Sequence, residues 1–237
     1  MIEVKNVSKQ FGKLQILKDI SLTLSKGECV AMIGPNGCGK TTLIKTILGM
    51  VIPTKGDTFF EGKSIQNEYA YRNKIGYMPQ IGRYPDNMTI GQIIQMMKDI
   101  RSDHDNLDEQ LYINFKLGGL LEKKMRTLSG GTTQKVSAIL AFLFNPDVLI
   151  LDEPTAGLDP VASEILKEKI SSEKAKGKLI LITSHLLSEL DDMITQIVFM
   201  QDGNISFHKG IQELLDETGE QKISKAIAHY LKQTQHV

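Results

Sequence analysis

The 237-residue chain contains no Trp, only eight Phe and six Tyr. So few aromatic faces leave little on which nucleic-acid bases would stack. Net charge is missing as well, because 28 Lys and Arg balance 28 Asp and Glu. A neutral chain has no electrostatic pull toward a phosphate backbone, so no nucleic-acid partner is expected. Cysteine is scarce: Cys29 and Cys38 cannot make a disulfide scaffold at this length, and both read as unpaired, small apolar residues in a reducing compartment. Long apolar runs are absent. A membrane span needs roughly 18 to 20 such residues, whereas the run around Ile139–Phe144 stops at Asn145 and Pro146. The opening Met1-Ile2-Glu3-Val4-Lys5-Asn6 lacks the charged-then-apolar pattern of a signal peptide, which predicts a cytosolic chain. The five His show no metal-ligand spacing, and the ten Met fall mostly on apolar faces as core packing.

What remains is an ordinary globular composition, 41% hydrophobic and 24% charged, with enough chain for a buried core. Ile2–Val7 and Ile20–Leu24 alternate as half-buried antiparallel strands do. Cys29–Ile33, Ile75–Met78, Val148–Leu151 and Leu179–Ile182 are continuously apolar, as strands covered on both faces are. Helical patterns separate most of them, which predicts an α/β fold with a mainly parallel sheet. From about Ile81 to Asn145 the spacing is helical: Ile90, Ile93, Ile94, Met97; Leu107, Leu111, Phe115; Val136, Ile139, Leu140, Leu143. This predicts a helical subdomain inserted at about 81–145. Asp202-Gly203 between two apolar runs predicts a hairpin turn. Ile223, Ala226, Ile227, Tyr230 and Leu231 predict a C-terminal helix at about 219–233.

Gly34-Pro35-Asn36-Gly37-Cys38-Gly39-Lys40-Thr41, continuing into Thr42, fits the phosphate-binding loop G-x-x-x-x-G-K-[ST]. It follows an apolar strand and opens a helix, the context in which backbone N–H groups and a helix N-terminus cradle phosphate. Lys40 is expected to reach the β- and γ-phosphates, and the Thr41 hydroxyl to ligate Mg²⁺. Cys38 lies inside the loop, so a blocked thiol there should block nucleotide. A second buried strand delivers Asp152 and Glu153. Asp152 is expected to hold Mg²⁺ through a bridging water, and Glu153 to polarise the attacking water. No Asn-Lys-x-Asp guanine-reading motif occurs, which disfavours a GTPase.

Leu128-Ser129-Gly130-Gly131, upstream of the Asp152-Glu153 strand, resembles the signature motif of the ATPase subunits of ABC transporters. The resemblance extends over about residues 1 to 215. It implies that Phe11 stacks on adenine, that Gln80 in Tyr77-Met78-Pro79-Gln80 touches Mg²⁺ or water, and that Ser129, Gly130 and Gly131 contact a γ-phosphate. It further implies that Asp159 in Gly157-Leu158-Asp159 belongs to the D-loop and that His185 is the switch histidine. Each has a structural alternative: Phe11 as core, Gln80 as a loop amide, Ser129 as an N-cap, Asp159 as an N-cap before Pro160, His185 as packing. Two positions depart from the pattern. Thr132 stands where Gln is usual, and Phe11 where Tyr is usual.

The resemblance implies an ABC-type ATPase using ATP and Mg²⁺. Two ATP molecules would be sandwiched in a head-to-tail pair, a homodimer or a pair with a paralogous ATPase. It also implies permease subunits on separate chains, and hence a place at the inner face of the cell membrane. Leu48–Gly56, Leu128–Val136, Gly177–His185, Glu217-Thr218-Gly219 and Ala226-Ile227-Ala228 resemble the ATPases of copper-processing transporters for nitrous oxide reductase maturation. An exporter with another cargo, or a soluble ABC-type ATPase, are the alternatives.

Overall fold

The computed structural model describes residues 1–101, 106–184 and 193–234. In chain order the strands and helices begin with β1 (Ile2–Phe11), β2 (Leu14–Leu24), β3 (Cys29–Ile33), α1 (Lys40–Ile47), β4 (Lys55–Phe60), β5 (Lys63–Ser64), β6 (Ile75–Met78), α2 (Ile90–Ile100) and α3 (Gln110–Asn114). They continue with α4 (Gly130–Phe142), β7 (Val148–Asp152), α5 (Pro160–Ala175), β8 (Leu179–Thr183), β9 (Gln196–Gln201), β10 (Asn204–Gly210), α6 (Ile211–Thr218) and α7 (Ile223–Thr234). The chain divides into two compact units, one of Met1–Tyr69 with Leu181–Val237, the other of Ala70–Ile180.

In the first unit an antiparallel sheet runs in the order β2-β1-β4-β5. The simple alternation read at Ile2–Val7 is interrupted. Val4 pairs with Leu22 but Val7 with Ile20, so β1 carries one extra residue, and β2 carries the compensating one before Lys9 meets Leu17. Asn6 (φ 49°) and Asp19 (φ 52°) absorb these bulges. Both are residue types that tolerate the left-handed region, and the Asn6 amide donates to Asp19 Oδ1 at 3.1 Å. The bulges keep Ile2, Val4, Val7, Leu17, Ile20, Leu22 and Leu24 buried. Strand β3, buried at every residue, runs parallel to β9. Strand β9 turns back into β10 through Asp202 (φ 49°) and Gly203 (φ 82°), the two positive φ angles a two-residue hairpin needs. Helix α6 ends at Gly219 (φ 68°). Tyr230 of α7 meets the edge of Phe207 at 4.8 Å, and Phe207 stacks on Phe199.

In the second unit β6 and β7 pair in parallel, Ile75 with Val148 through to Met78 with Leu151. Helix α2 opens with a reciprocal cap: Gln92 N–H donates to Thr89 Oγ1, and Thr89 N–H to Gln92 Oε1. The stripe read at Leu107, Leu111 and Phe115 forms only the short α3, with Leu111 and Phe115 buried. Among the described residues no helix is long and apolar enough to cross a membrane.

Lys169 of α5 is buried beside Glu173 (2.8 Å) and Gln110 (3.0 Å), and also pairs with Asp108. Glu173 receives Lys176 (2.7 Å) and Lys178 as well. Burial pushes the Glu173 carboxyl up, but Lys169, Lys176 and Lys178 outweigh it and hold the group at about 2.

Candidate functional site

The phosphate-binding loop belongs to the first unit. Gly34 (φ 149°) and Gly39 (φ 109°) flank it in conformations that L side chains rarely adopt. Space excludes a side chain too. A Cβ on Gly34 would lie 2.1 Å from the Met200 carbonyl oxygen, and one on Gly39 would lie 2.9 Å from Leu17 Cδ2. The loop is thus pressed between the end of β9 and β2. The hairpin turn adds a bond, Gly203 N–H donating to Cys38 O at 3.2 Å. Pairing of β3 with β9, residues far apart in sequence, creates this support, so local motif spacing did not reveal Met200 and Gly203.

Lys40 is 8% exposed, and its ammonium donates to the carbonyls of Gly34 (2.7 Å) and Pro35 (3.1 Å). A cation satisfied by its own loop can exchange those carbonyls for phosphate oxygens without leaving the cradle. Helix α1 starts at Lys40, and Gly39 caps it with no side-chain hydrogen bond. The N–H groups and positive dipole end of the first turn suit an anion. Thr41 is exposed, Thr42 half-buried, and Pro35, Asn36 and Gly37 exposed. The Cys38 thiol is 3% exposed, with Sγ 3.8 Å from Lys40 Nζ. Phe11, at the end of β1, is 50% exposed rather than core. Lys9 Nζ lies 4.8 Å from its ring centroid and donates to Ile52 O at 2.7 Å.

The second unit holds the acidic and signature residues. Asp152 closes β7 and is 4% exposed. Glu153 follows in the left-handed region, at φ 52°. Its carbonyl accepts from Ala156 N–H (3.1 Å) and from the Gln134 amide (3.4 Å). These bonds hold a turn that costs a non-glycine residue about 1–2 kcal/mol. Gln80 is exposed two residues beyond β6. Burial, and then the charge of Asp152, push the Tyr77 phenol up to about 12, so Tyr77 keeps its proton.

Ser129 caps α4, its hydroxyl accepting from Thr132 N–H at 3.3 Å. The Thr132 hydroxyl, at the position where the pattern usually has Gln, lies 2.9 Å from Ser129 Oγ. Gly131 packs against the backbone at Gly157, since a Cβ there would lie 2.7 Å from Gly157 O. Asp159 caps α5 through Ala162 N–H (2.9 Å) and pairs with Lys135 (2.7 Å). The Lys135 ammonium, then the Ala162 N–H, hold the Asp159 carboxyl below its usual range. Ser129 and Asp159 are therefore both N-caps.

The first unit thus gathers Gly34 to Thr42, and the second gathers Asp152 and Glu153 with Ser129, Gly130, Gly131, Asp159 and Gln80. His185 lies outside the described residues. The donors assigned to metal, the Thr41 hydroxyl, the Gln80 amide oxygen and the Asp152 carboxylate, are all hard oxygens, which suits Mg²⁺. Among the described residues no group of three or more His, Cys, Asp or Glu could hold a metal ion by itself.

The family model for ABC transporters matches residues 17–156. The chain is 32% identical over 211 residues to the lantibiotic transport ATP-binding protein SrtF of Streptococcus pyogenes, covering 88% of this chain and 90% of that protein. It is 35% identical over 222 residues to the phospholipid-transporting ATPase ABCA3 of Rattus norvegicus, covering 92% of this chain. The chain spans only 13% of the length of that longer relative. A solved ATP binding subunit of an ABC transporter superposes with a TM-score of 0.88 at 27% identity, covering 99% of both chains. With its phosphate-binding loop, the buried Asp152 at the end of β7 and the Ser129-capped α4, the chain belongs to the ABC transporter family.

Proposed function

We propose that the chain is one ABC ATPase domain that binds ATP with Mg²⁺, pairs head-to-tail with a second copy or a paralogous ATPase, and hydrolyses ATP. Lys40 and the N–H groups of Gly34 to Thr42 hold the phosphates, and Phe11 stacks on adenine. Thr41, Asp152 and Gln80 hold Mg²⁺, which when bound neutralises phosphate charge. Glu153 polarises the attacking water, and His185 contacts the γ-phosphate. Ser129, Gly130 and Gly131 serve the ATP of the other subunit, with Asp159 beside them. The observation that carries this reading is the exposed Ser129-Gly130 start of α4. It is a helix N-terminus with a hydroxyl and bare backbone N–H groups, suited to a phosphate. A chain with one loop and one signature completes both in a closed two-fold pair.

Ser129→Arg tests the shared site. The variant is expected to bind ATP in the single subunit within about two-fold of the parent, while its ATP-dependent pairing is lost. ATP-dependent dimers of this variant would contradict the shared site.

In this reading permease subunits on separate chains carry the cargo, and the ATPase works at the inner face of the membrane. The segments around Leu48–Gly56 and Leu128–Val136 support a copper-processing transporter for nitrous oxide reductase maturation. The lantibiotic and phospholipid transporters among the relatives support a transporter with another cargo. Mass spectrometry of the membrane chain that co-purifies decides between them: a permease linked to copper delivery supports the first, an unrelated permease the second.

A further inference from the structure

Gln80 stands at the apex of a loop with both feet on α4. The incoming foot is β6, where a Cβ on Gly76 would lie 2.0 Å from Ala141 O. The outgoing foot is Gly82–Tyr84. There the Tyr84 hydroxyl lies 2.9 Å from Ser137 Oγ. A Cβ on Gly82 would lie 2.3 Å from that same oxygen and 2.7 Å from Tyr84 Cε2, so the foot closes only with glycine. Ser137 and Ala141 are one turn apart on one face of α4. Gln134, three residues before Ser137, shares that face and holds the Glu153 carbonyl. One stripe of α4 therefore meets both feet of the Gln80 loop and the backbone of Glu153. Between the feet the chain is bare: Gln80 is exposed, and Ile81 is 70% exposed. The apex is placed by its feet and not by packing of its own.

We propose that Tyr84 and Ser137 are positioning residues, whose hydrogen bond fastens the Gln80 loop to α4 so that Gln80 and the Ser129 end of the helix move as one body. The kinetic consequence rests on the reading of Gln80 as a group at Mg²⁺ or the attacking water. Burial pushes the Tyr84 phenol up, so it stays protonated and can donate to Ser137. The buried Ser137 hydroxyl has strong reason to keep that partner.

The chain has no Trp, so Ile81→Trp makes a single reporter next to Gln80. In that background Tyr84→Phe and Ser137→Ala are each expected to lower reporter anisotropy and raise acrylamide quenching. Each is expected to reduce kcat about five-fold with the KM for ATP within about two-fold. The double variant should match either single one, as for two halves of one contact. Unchanged anisotropy in both single variants, or additive losses in the double, would overturn the proposal. Gln80→Ala in the same assay separates the two readings. If it keeps full turnover while Tyr84→Phe still loosens the reporter, the role of Gln80 falls and the fastening stands.

Discussion

Lys40 and Cys38 lie side by side in the loop, and each constrains what the other can do. The Lys40 ammonium rests on the carbonyls of Gly34 and Pro35, with the Cys38 thiol buried behind it. A group added to Cys38 Sγ would enter the space next to Gly34, where even a Cβ on that glycine would lie 2.9 Å from the sulfur. In a Cys29→Ala background, maleimide should react with Cys38 slowly, ATP should protect it, and the fully alkylated protein should lose ATP binding. Unchanged binding after complete alkylation, read by mass spectrometry and titration, would contradict this. The loop itself was legible in the sequence, because its glycines, Lys40 and Thr41 are contiguous. Gln134, Tyr84 and Ser137 were not, because each acts through a partner 19 or 53 residues away in the chain.

Among the elements, α5 shows how charge is managed in the interior. Glu173 is fully buried, yet three lysines keep it ionised. Its folded value, about 2, lies below the ordinary value of 4.5. The folded state therefore releases the proton more readily than the unfolded chain, and stability rises with pH across this window. The contribution, about 3 kcal/mol, is present above pH 4.5 and is lost as pH falls from there toward 2. Glu173→Gln should lower Tm at pH 7, with the gap to the parent narrowing below pH 4.5; a gap that does not change down to pH 3 would contradict the assignment. Buried strands were the most legible elements, since β3, β7 and β8 read as unbroken apolar runs. The bulges at Asn6 and Asp19 were hidden because pairing, not local pattern, decides where an extra residue goes. The stripe through Leu107 to Phe115 looked helical, but only Gln110–Asn114 is helix.

For the whole molecule, the opening absences take on a different meaning. A chain with no long apolar run carries one phosphate-binding loop and one Ser129-capped helix, and in the proposed function each is completed by another subunit. In that reading the complement is a second ATPase subunit, and Glu153 is the group that ends the paired state by hydrolysis. Removing that carboxylate should cost about 10²–10⁴ in turnover while leaving ATP binding intact. The direct measurement is the mass of purified Glu153→Gln in solution with Mg²⁺ and ATP. The expected result is a stable species at twice the 26.4 kDa of the single chain, returning to one chain when ATP is removed. A species that stays at one chain with ATP bound, or near-normal hydrolysis by the variant, would contradict it.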